Sequence, residues 1–460
     1  MSKTYPARSP DQSGSGWPRG AASQVSTDSD LIPGLSREEL VDLESRIHSR
    51  LVDEIQAKVL AIMPKEQMFE QIENMCDKVL QDQGLAVPAR VRARLVREVY
   101  YEVRGYGPIQ PLVDDPTLTE IMVNGAKQVY AERDGKLFLT DRIFKDDAHV
   151  LRIIDRIVTP IGRRVDEASP MVDARLPDGS RVNAIIPPLA IRGPHMNIRK
   201  FSRVPYTAED LVAFGTFTKQ MMAFVKGCVE ARLNIIISGG TGSGKTTTLN
   251  VMSSFIPEEE RIVTIEDAAE LQLQQEHVVT LESRPSNLEG KGEITIRQLV
   301  RNSLRMRPDR IIVGETRGGE ALDMLQAMNT GHDGSLSTAH TNSPRDTLSR
   351  LETMVLMAGT DLPSRAIREQ VASALNMIVH QHRFRDGTRK VTHVSEIQGM
   401  EGDTIVLQDL FVFVREGVDE KGNVLGYHTA TGLRPKCLPM LEAQGLFLEP
   451  DAFAPVGGLR

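Results

Sequence analysis

A short apolar run at residues 235–237 leads directly into a glycine-rich segment, and this junction constrains the fold more than any other feature of the chain. The segment reads Gly239-Gly240-Thr241-Gly242-Ser243-Gly244-Lys245-Thr246-Thr247, which contains the pattern G-x-x-x-x-G-K-T. Glycines let the backbone curl so that its N–H groups surround a phosphate, and a helix beginning near Lys245 adds its positive end. Lys245 can then reach the β- and γ-phosphates, while the Thr246 hydroxyl is placed to bind Mg²⁺. The pattern therefore predicts a P-loop, with residues 240–247 around the phosphates.

Composition limits the classes of protein that remain. The 460 residues include 55 Lys and Arg against 62 Asp and Glu, a net charge of −7. General nucleic-acid binders usually carry a basic excess, so no nucleic-acid partner is expected. The three cysteines, Cys76, Cys228 and Cys437, form no C-x-x-C pair and indicate reduced thiols in a cytosolic protein. No run approaches the roughly 18 apolar residues of a membrane span, and the N-terminus lacks a secretion signal's apolar core.

The composition and the apolar pattern change several times along the chain, which predicts separate domains. Residues 1–35 are rich in Ser, Gly, Pro and Asp and cannot bury enough apolar surface to order themselves. Apolar residues then recur at helical spacing, which predicts a bundle of helices or a docking module for a partner. We predict a disordered tail (1–35), a helical bundle (36–104), a small mixed α/β domain (105–203), a linker (204–210), a P-loop domain (211–383) and a hairpin-rich extension of that domain (384–460).

The apolar runs of the P-loop domain alternate with helical patterns, which indicates a mostly parallel sheet covered by helices. These runs lie at 234–237, 262–265, 278–281, 310–313 and 377–381. Hairpin-like strands follow at 391–397, 404–408 and 410–414. The predicted fold class is α/β.

Two of these runs end in carboxylates, which a P-loop protein needs for its metal and for the attacking water. Glu315 ends one of them and can polarise water as a general base. Gly314 stands where many P-loop ATPases carry an Asp that supports Mg²⁺. Glu266, followed by Asp267, ends the run at 262–265, and we assign Glu266 to the water shell of Mg²⁺. The alternative is that these carboxylates are merely solvated at a strand exit.

Two histidines, His332 and His340, lie among small hydrogen-bonding residues shortly after Glu315. A zinc pair would need further ligands at suitable spacing, and none is present. A histidine that senses the γ-phosphate fits this context better.

Three arginines of the small domain, Arg175, Arg181 and Arg199, lie on or beside predicted strands. They are either edge residues that deter aggregation or guanidinium groups that reach the γ-phosphate, which raises hydrolysis rates by roughly 10³–10⁵. Their spacing alone does not choose between these roles.

Four segments together resemble the secretion ATPase superfamily of type II and type IV secretion systems and type IV pili. They are the Walker A loop, an acidic box at 264–267, a Walker B strand without its Asp at 311–315 and a histidine box at 331–340. The segments 175–184, 314–321 and 330–335 resemble the CpaF/TadA branch, which powers assembly of tight-adherence (Tad, Flp) pili and is similar to VirB11-type ATPases. The resemblance covers residues 37 to about 450.

The resemblance implies a RecA-like domain in a homo-hexameric ring that hydrolyses ATP with Mg²⁺. It implies a location at the cytoplasmic face of the inner membrane, peripheral to it, with platform proteins of that membrane as partners. The residues that it places in the site are Glu315 as catalytic carboxylate, Glu266 as acidic-box residue, Lys245 and Thr246 on phosphate and Mg²⁺, His340 and His332 in the histidine box, and Arg175, Arg181, Arg199 and Arg317 on the nucleotide.

Three other functions stay open at this point. A nucleic-acid translocase can share the RecA-like core, a nucleotide-binding ring can have little turnover, and a retraction motor can serve the same pilus.

Overall fold

The computed structural model describes residues 36–55, 57–133, 135–201, 205–284, 286, 291–359 and 361–455. The predicted disordered tail at 1–35 lies outside these residues, as does the first residue of the predicted linker. The chain divides into two compact units. The first comprises the residues up to 174 with 182–198, and the second comprises 175–181 with the residues from 199 onward.

The first unit begins with helices and continues with a small sheet. Its elements are α1 (Arg37–Glu54), α2 (Ala57–Ile62), α3 (Lys65–Asp82), α4 (Ala89–Arg104), α5 (Gln110–Asp114), β1 (Leu118–Asn124), β2 (Val129–Arg133), β3 (Lys136–Leu139), α6 (Asp147–Val158), β4 (Met171–Arg175), β5 (Arg181–Ile185) and β6 (His195–Arg199). Ser36 and Glu39 form a capping box at the start of α1. The stripe Leu40, Leu43 and Ile47 is buried in one core with residues of α3 and α4. The predicted helical stripe is confirmed.

Strands β1 to β6 form one sheet in the order β3-β2-β1-β6-β5-β4. The β1–β2 pair is antiparallel, as expected for strands joined by a short turn at Asn124-Gly125. Helix α6 begins at the N-cap Asp146, whose carboxylate accepts the backbone N–H of His149. It buries an apolar face that includes Val150, Ile153 and Ile157.

The second unit alternates helices with strands. Its elements are α7 (Ala208–Ala213), α8 (Lys219–Glu230), β7 (Ile235–Gly239), α9 (Lys245–Ser253), β8 (Ile262–Glu266), β9 (Val278–Glu282), α10 (Ile296–Ser303), β10 (Arg310–Thr316), α11 (Glu320–Asn329), β11 (Leu336–His340), α12 (Pro344–Met357), α13 (Ser364–Ala374), β12 (Met377–Arg383), β13 (Arg389–Glu401), β14 (Thr404–Val418), β15 (Val424–Ala430) and α14 (Leu438–Ala443).

These strands form a nine-stranded sheet in the order β15-β14-β13-β12-β7-β11-β10-β8-β9. The six neighbouring strands β12, β7, β11, β10, β8 and β9 pair in parallel. The strands β12, β13, β14 and β15 pair antiparallel, each with the next. Ile235 and Ile237 point into one apolar core, while Ile236 points into another on the opposite face. Burial on both faces is what a parallel strand needs. The predicted α/β fold with a RecA-like, mostly parallel sheet is confirmed.

Several elements differ from the predictions. Strand β11 lies in the histidine box, where Ser, Thr and Ala obscured the apolar pattern of a strand. Strand β14 is continuous where two strands were predicted, and β15 was missed. Helix α7 begins inside the predicted linker, because Thr207 and Asp210 form a capping box there. The six-part domain division stays a prediction.

Within the described part of the chain, no helix combines the length and apolar character that a bilayer span requires.

A carboxyl group in the first unit gives a testable pH dependence. Burial raises the pKa of Glu44 on α1 to about 8, and the charge of Glu98 adds to the rise. Its ordinary pKa is 4.5, so between these values the folded state holds a proton that the unfolded chain has lost. The free energy of unfolding therefore falls as the pH rises through this window, and the loss is complete above about pH 8.

We expect Glu44→Gln to flatten this dependence and to raise the free energy of unfolding above pH 8 relative to wild type. Urea denaturation at about pH 6 and about pH 9 measures the effect. Glu70→Gln on the exposed side of α3 is the matched control and should leave the slope unchanged. An unchanged slope in Glu44→Gln would contradict the prediction.

Candidate nucleotide-binding site

The site begins with the alignment of parallel strands. Because β7, β8, β10, β11 and β12 run in the same direction, their carboxyl ends meet at one edge of the sheet. His340 and Gln381 both lie opposite Gly239 across their ladders. Glu266 ends β8, and Glu315 lies one residue before the end of β10. The predicted loop and both predicted carboxylates therefore share one edge.

The P-loop itself lies between β7 and α9, as predicted. Gly242 and Gly244 adopt positive φ values of 68° and 96°, which residues other than glycine rarely adopt. Gly244 is the N-cap of α9, so the helix begins at Lys245 with Thr246 and Thr247 in its first turn. Lys245 Nζ donates to the Gly240 carbonyl at 3.1 Å. Burial lowers the pKa of Lys245, against the opposing effect of Glu315.

The loop fits a phosphate in two further respects. The Ser243 Oγ is buried and has no hydrogen-bond partner, which is costly unless a ligand supplies one. The N-terminus of α9 presents unpaired backbone N–H groups, a natural anion site. These features fit a bound polyphosphate.

Glu266 is a buried carboxylate with defined partners. Its Oε2 accepts the backbone N–H groups of Glu270 at 2.9 Å and Leu271 at 3.2 Å. Burial raises its pKa to about 7, although these two hydrogen bonds oppose the rise. A Cβ added to Gly314 would lie 2.7 Å from the Glu266 Cγ. The glycine at the Walker B Asp position thus leaves room for the Glu266 side chain.

Arg317 contacts carboxylates in this structure. The prediction from the sequence placed it on the nucleotide, but its Nη2 donates to Glu315 Oε2 at 2.5 Å and its Nη1 to Asp267 Oδ2 at 3.4 Å. The hydrogen bond to Glu315 is the main cause that raises the pKa of Arg317. Glu315 therefore has a fixed counter-ion two residues along the chain.

The three predicted arginines belong to the second unit and contact acidic residues of that same unit. Arg181 Nη1 donates to Glu270 Oε1 at 3.0 Å, and Arg199 lies 3.8 Å from the same oxygen. Arg175 Nη2 lies 2.7 Å from Glu282 Oε2 and forms an ion pair with it. This nitrogen is buried, and its geometry does not meet that of a hydrogen bond. Arg181 and Arg199 thus share the segment that Glu266 anchors.

The two histidines occupy opposite ends of β11. His340 ends the strand beside Gly239 and thus lies at the P-loop edge. His332 precedes the strand by four residues, so the five residues of β11, about 3.3 Å each, separate it from that edge. Its carbonyl accepts the Ser335 hydroxyl at 2.8 Å, which ties it to the turn at the start of β11. The structure thus places His332 at the end of β11 away from the P-loop, and its predicted contact with the nucleotide stays a prediction.

The sequence reasoning missed Gln381 and Arg389. Gln381 Nε2 donates to the Ser243 carbonyl at 2.6 Å, and its Oε1 accepts the Thr248 hydroxyl at 2.7 Å. Arg389 Nε donates to the Gly242 carbonyl at 2.9 Å. The one available signal was the change from apolar to polar residues within the strand β12, where Gln381 lies and is buried.

A Mg²⁺ ion at this edge would find few protein ligands. Among the residues that the structure describes, no group of three His, Cys, Asp or Glu side chains could hold a metal ion. In nucleotide sites Mg²⁺ usually keeps several waters and binds largely through substrate phosphates. Thr246 and, through water, Glu266 are the residues that would hold it.

A Walker A loop, a strand-end Glu and a covered parallel sheet define the class of P-loop nucleotide-binding proteins. Residues 102–420 match the type II/IV secretion system protein family. The chain therefore belongs to the type II/IV secretion system protein family, and the resemblance to the secretion ATPase superfamily is confirmed.

Two proteins of similar sequence agree with this assignment. A Mycobacterium tuberculosis protein named for conjugal transfer is 37% identical over 313 residues, 67% of this chain and 88% of that protein. The type IV secretion system protein VirB11 of Brucella suis is 31% identical over 318 residues, 63% of this chain and 88% of that protein. The crystal structure of the Brucella suis VirB11 ATPase in complex with sulphate matches 62% of this chain and 91% of its own, with a TM-score of 0.35 and 31% identity.

The close approach between Gly314 and Glu266 gives a test of the packing at this edge. We expect Gly314→Ala to lower the free energy of unfolding by about 1–3 kcal/mol, because the new methyl group overlaps the Glu266 side chain. Urea denaturation measures the change.

Gly240→Ala is the matched control, because a Cβ there meets no atom within 4 Å. The double variant Gly314→Ala/Glu266→Ala should recover part of the loss. Equal stability of Gly314→Ala and Gly240→Ala would contradict the overlap.

Proposed function

We propose that this protein is an ATP-hydrolysing hexameric motor that powers Tad/Flp pilus assembly and protein secretion at the cytoplasmic face of the inner membrane. The observation that carries the proposal is the meeting of the P-loop with Glu315 and Glu266 at one sheet edge. A loop that only binds nucleotide has no need of a carboxylate aligned to activate water. That alignment favours a motor over a nucleotide-binding ring with little turnover.

The residues divide the chemistry between them. Lys245, Thr246 and the loop N–H groups bind the phosphates. Glu315 orients the attacking water and takes its proton, while Lys245 neutralises charge that develops on the γ-phosphate oxygens. Mg²⁺, when bound, would neutralise further charge on the β- and γ-phosphates.

The remaining residues adjust this site. The Arg317 guanidinium holds Glu315 in a fixed orientation at 2.5 Å. His340, at the end of the strand beside the P-loop strand, is placed to respond to the γ-phosphate. Arg181 and Arg199 exchange Glu270 for phosphate when nucleotide binds, since a polyphosphate carries more charge than one carboxylate.

The apparatus and location rest on the CpaF/TadA-like segments at 175–184, 314–321 and 330–335. We propose peripheral contact with inner-membrane platform proteins, through which the ring would add pilin subunits. A retraction motor of the same system would use the same site.

A second candidate is a DNA-transfer ATPase, which the name of the Mycobacterium tuberculosis relative favours. The net charge of −7 opposes direct DNA contact. Stimulation of ATP hydrolysis by DNA would favour this candidate, and equal rates with and without DNA would favour the pilus motor.

The catalytic assignment predicts the effect of a single substitution. Glu315→Gln should lower kcat for ATP hydrolysis by roughly 10²–10⁴, because the amide cannot accept the proton of the attacking water. A coupled assay measures the rate, and light scattering in the presence of ATP should still detect six subunits.

The exposed Glu401→Gln is the matched control and should turn over ATP at the wild-type rate. Equal turnover in wild type and Glu315→Gln, or monomers at every nucleotide concentration, would refute the proposal.

A further inference from the structure

Three side chains of the hairpin of β12 and β13 lie against the P-loop. Gln381 and Arg389 donate to the carbonyls of Ser243 and Gly242, at 2.6 Å and 2.9 Å. A Cβ on Gly242 would lie 3.0 Å from Arg383 Nη1. A Cβ on Gly244 would lie 3.0 Å from Gln381 Nε2. The hairpin therefore packs closely against the loop.

These contacts fix the direction of two peptide groups. A trans peptide unit is planar, so its carbonyl and its N–H point to opposite sides. When Gln381 holds the Ser243 carbonyl, the N–H of Gly244 points to the side of the loop away from Gln381. When Arg389 holds the Gly242 carbonyl, the N–H of Ser243 points away from Arg389, and it donates to the Gly240 carbonyl at 3.3 Å.

Gln381 also joins the loop to the helix behind it. Its Oε1 accepts the Thr248 hydroxyl of α9 at 2.7 Å, while its Nε2 holds the loop. Both Gln381 and Thr248 are almost fully buried. A buried polar group that is left without a hydrogen-bond partner costs free energy. The Gln381 amide therefore fixes the loop relative to the N-terminus of the helix.

The hairpin that carries these side chains is itself fixed. In the turn between β12 and β13, Asp386 Oδ1 accepts a hydrogen bond from the Thr388 hydroxyl at 2.7 Å. Its Oδ2 accepts the backbone N–H of Val424, at the start of β15, also at 2.7 Å. The turn is thus held to the start of β15, and Arg389 follows directly after this turn.

We infer that Gln381 and Arg389 are positioning residues that preorganise the P-loop for nucleotide, so that the β12–β13 hairpin strengthens nucleotide binding. This rests on the proposed function, because it assumes that the P-loop binds nucleotide. The residues act on the phosphates through the loop backbone. Their loss should therefore weaken binding more than it slows the chemical step.

The test measures affinity directly in the full chain. We expect Arg389→Met and Gln381→Met each to raise the Kd for ADP about tenfold, because each leaves a loop carbonyl without its donor. Titration with a fluorescent ADP analogue measures Kd without hydrolysis. The KM for ATP should rise in parallel, while kcat at saturating ATP stays within about twofold of wild type. Arg389→Lys should recover part of the affinity.

Arg385→Met is the matched control, since it removes the same charge from the same turn, and its Kd should equal that of wild type. Thermal denaturation in the absence of nucleotide identifies a variant that fails to fold. The Kd of the other variant then tests the inference. Wild-type affinity in a folded Arg389→Met or Gln381→Met overturns the inference while leaving the proposed function intact. Failure of the wild-type chain to bind ADP overturns both.

Discussion

Parallel pairing of β7 with β11 on one side and β12 on the other is the constraint on which the whole site depends. It aligns Gly239 with His340 and with Gln381. The same direction of β8 and β10 carries Glu266 and Glu315 to that edge. Because both faces of these strands are buried, a slip in register would move apolar side chains out of both cores at once. The apolar residues of the sheet thus fix the geometry of its polar edge.

Each of the predicted site arginines is paired with a carboxylate. Arg317 pairs with Glu315, Arg181 and Arg199 with Glu270, and Arg175 with Glu282. Each pair avoids an isolated charge in partly buried surroundings, which would be costly. Such ion pairs are weak near water, so a ligand with several negative charges can displace a carboxylate at little cost. The arginines can therefore be held in place before the nucleotide arrives.

Much of this arrangement could be predicted from the sequence, because local patterns carried it. The glycine spacing identified the loop, and the apolar runs that end in Glu266 and Glu315 identified the edge. Strand β11 was missed because its Ser and Thr residues are buried in the sheet without an apolar pattern. The location of His332 relative to the P-loop depends on that strand, so it could not be worked out from the sequence. Gln381 and Arg389 could not be assigned, because their contacts to the loop span 138 and 147 residues of chain.

The overlap between Gly314 and Glu266 has a consequence for how sequences of this kind can vary. The space beside the end of β10 admits a side chain from one of the two positions, because a Cβ at 314 would lie 2.7 Å from the Glu266 Cγ. A carboxylate can therefore stand on β10 or on β8, but restoring Asp at position 314 requires a smaller residue at 266 in the same step. We therefore expect the effects of substitutions at the two positions to be non-additive, since a single change at position 314 that adds a side chain overpacks this space.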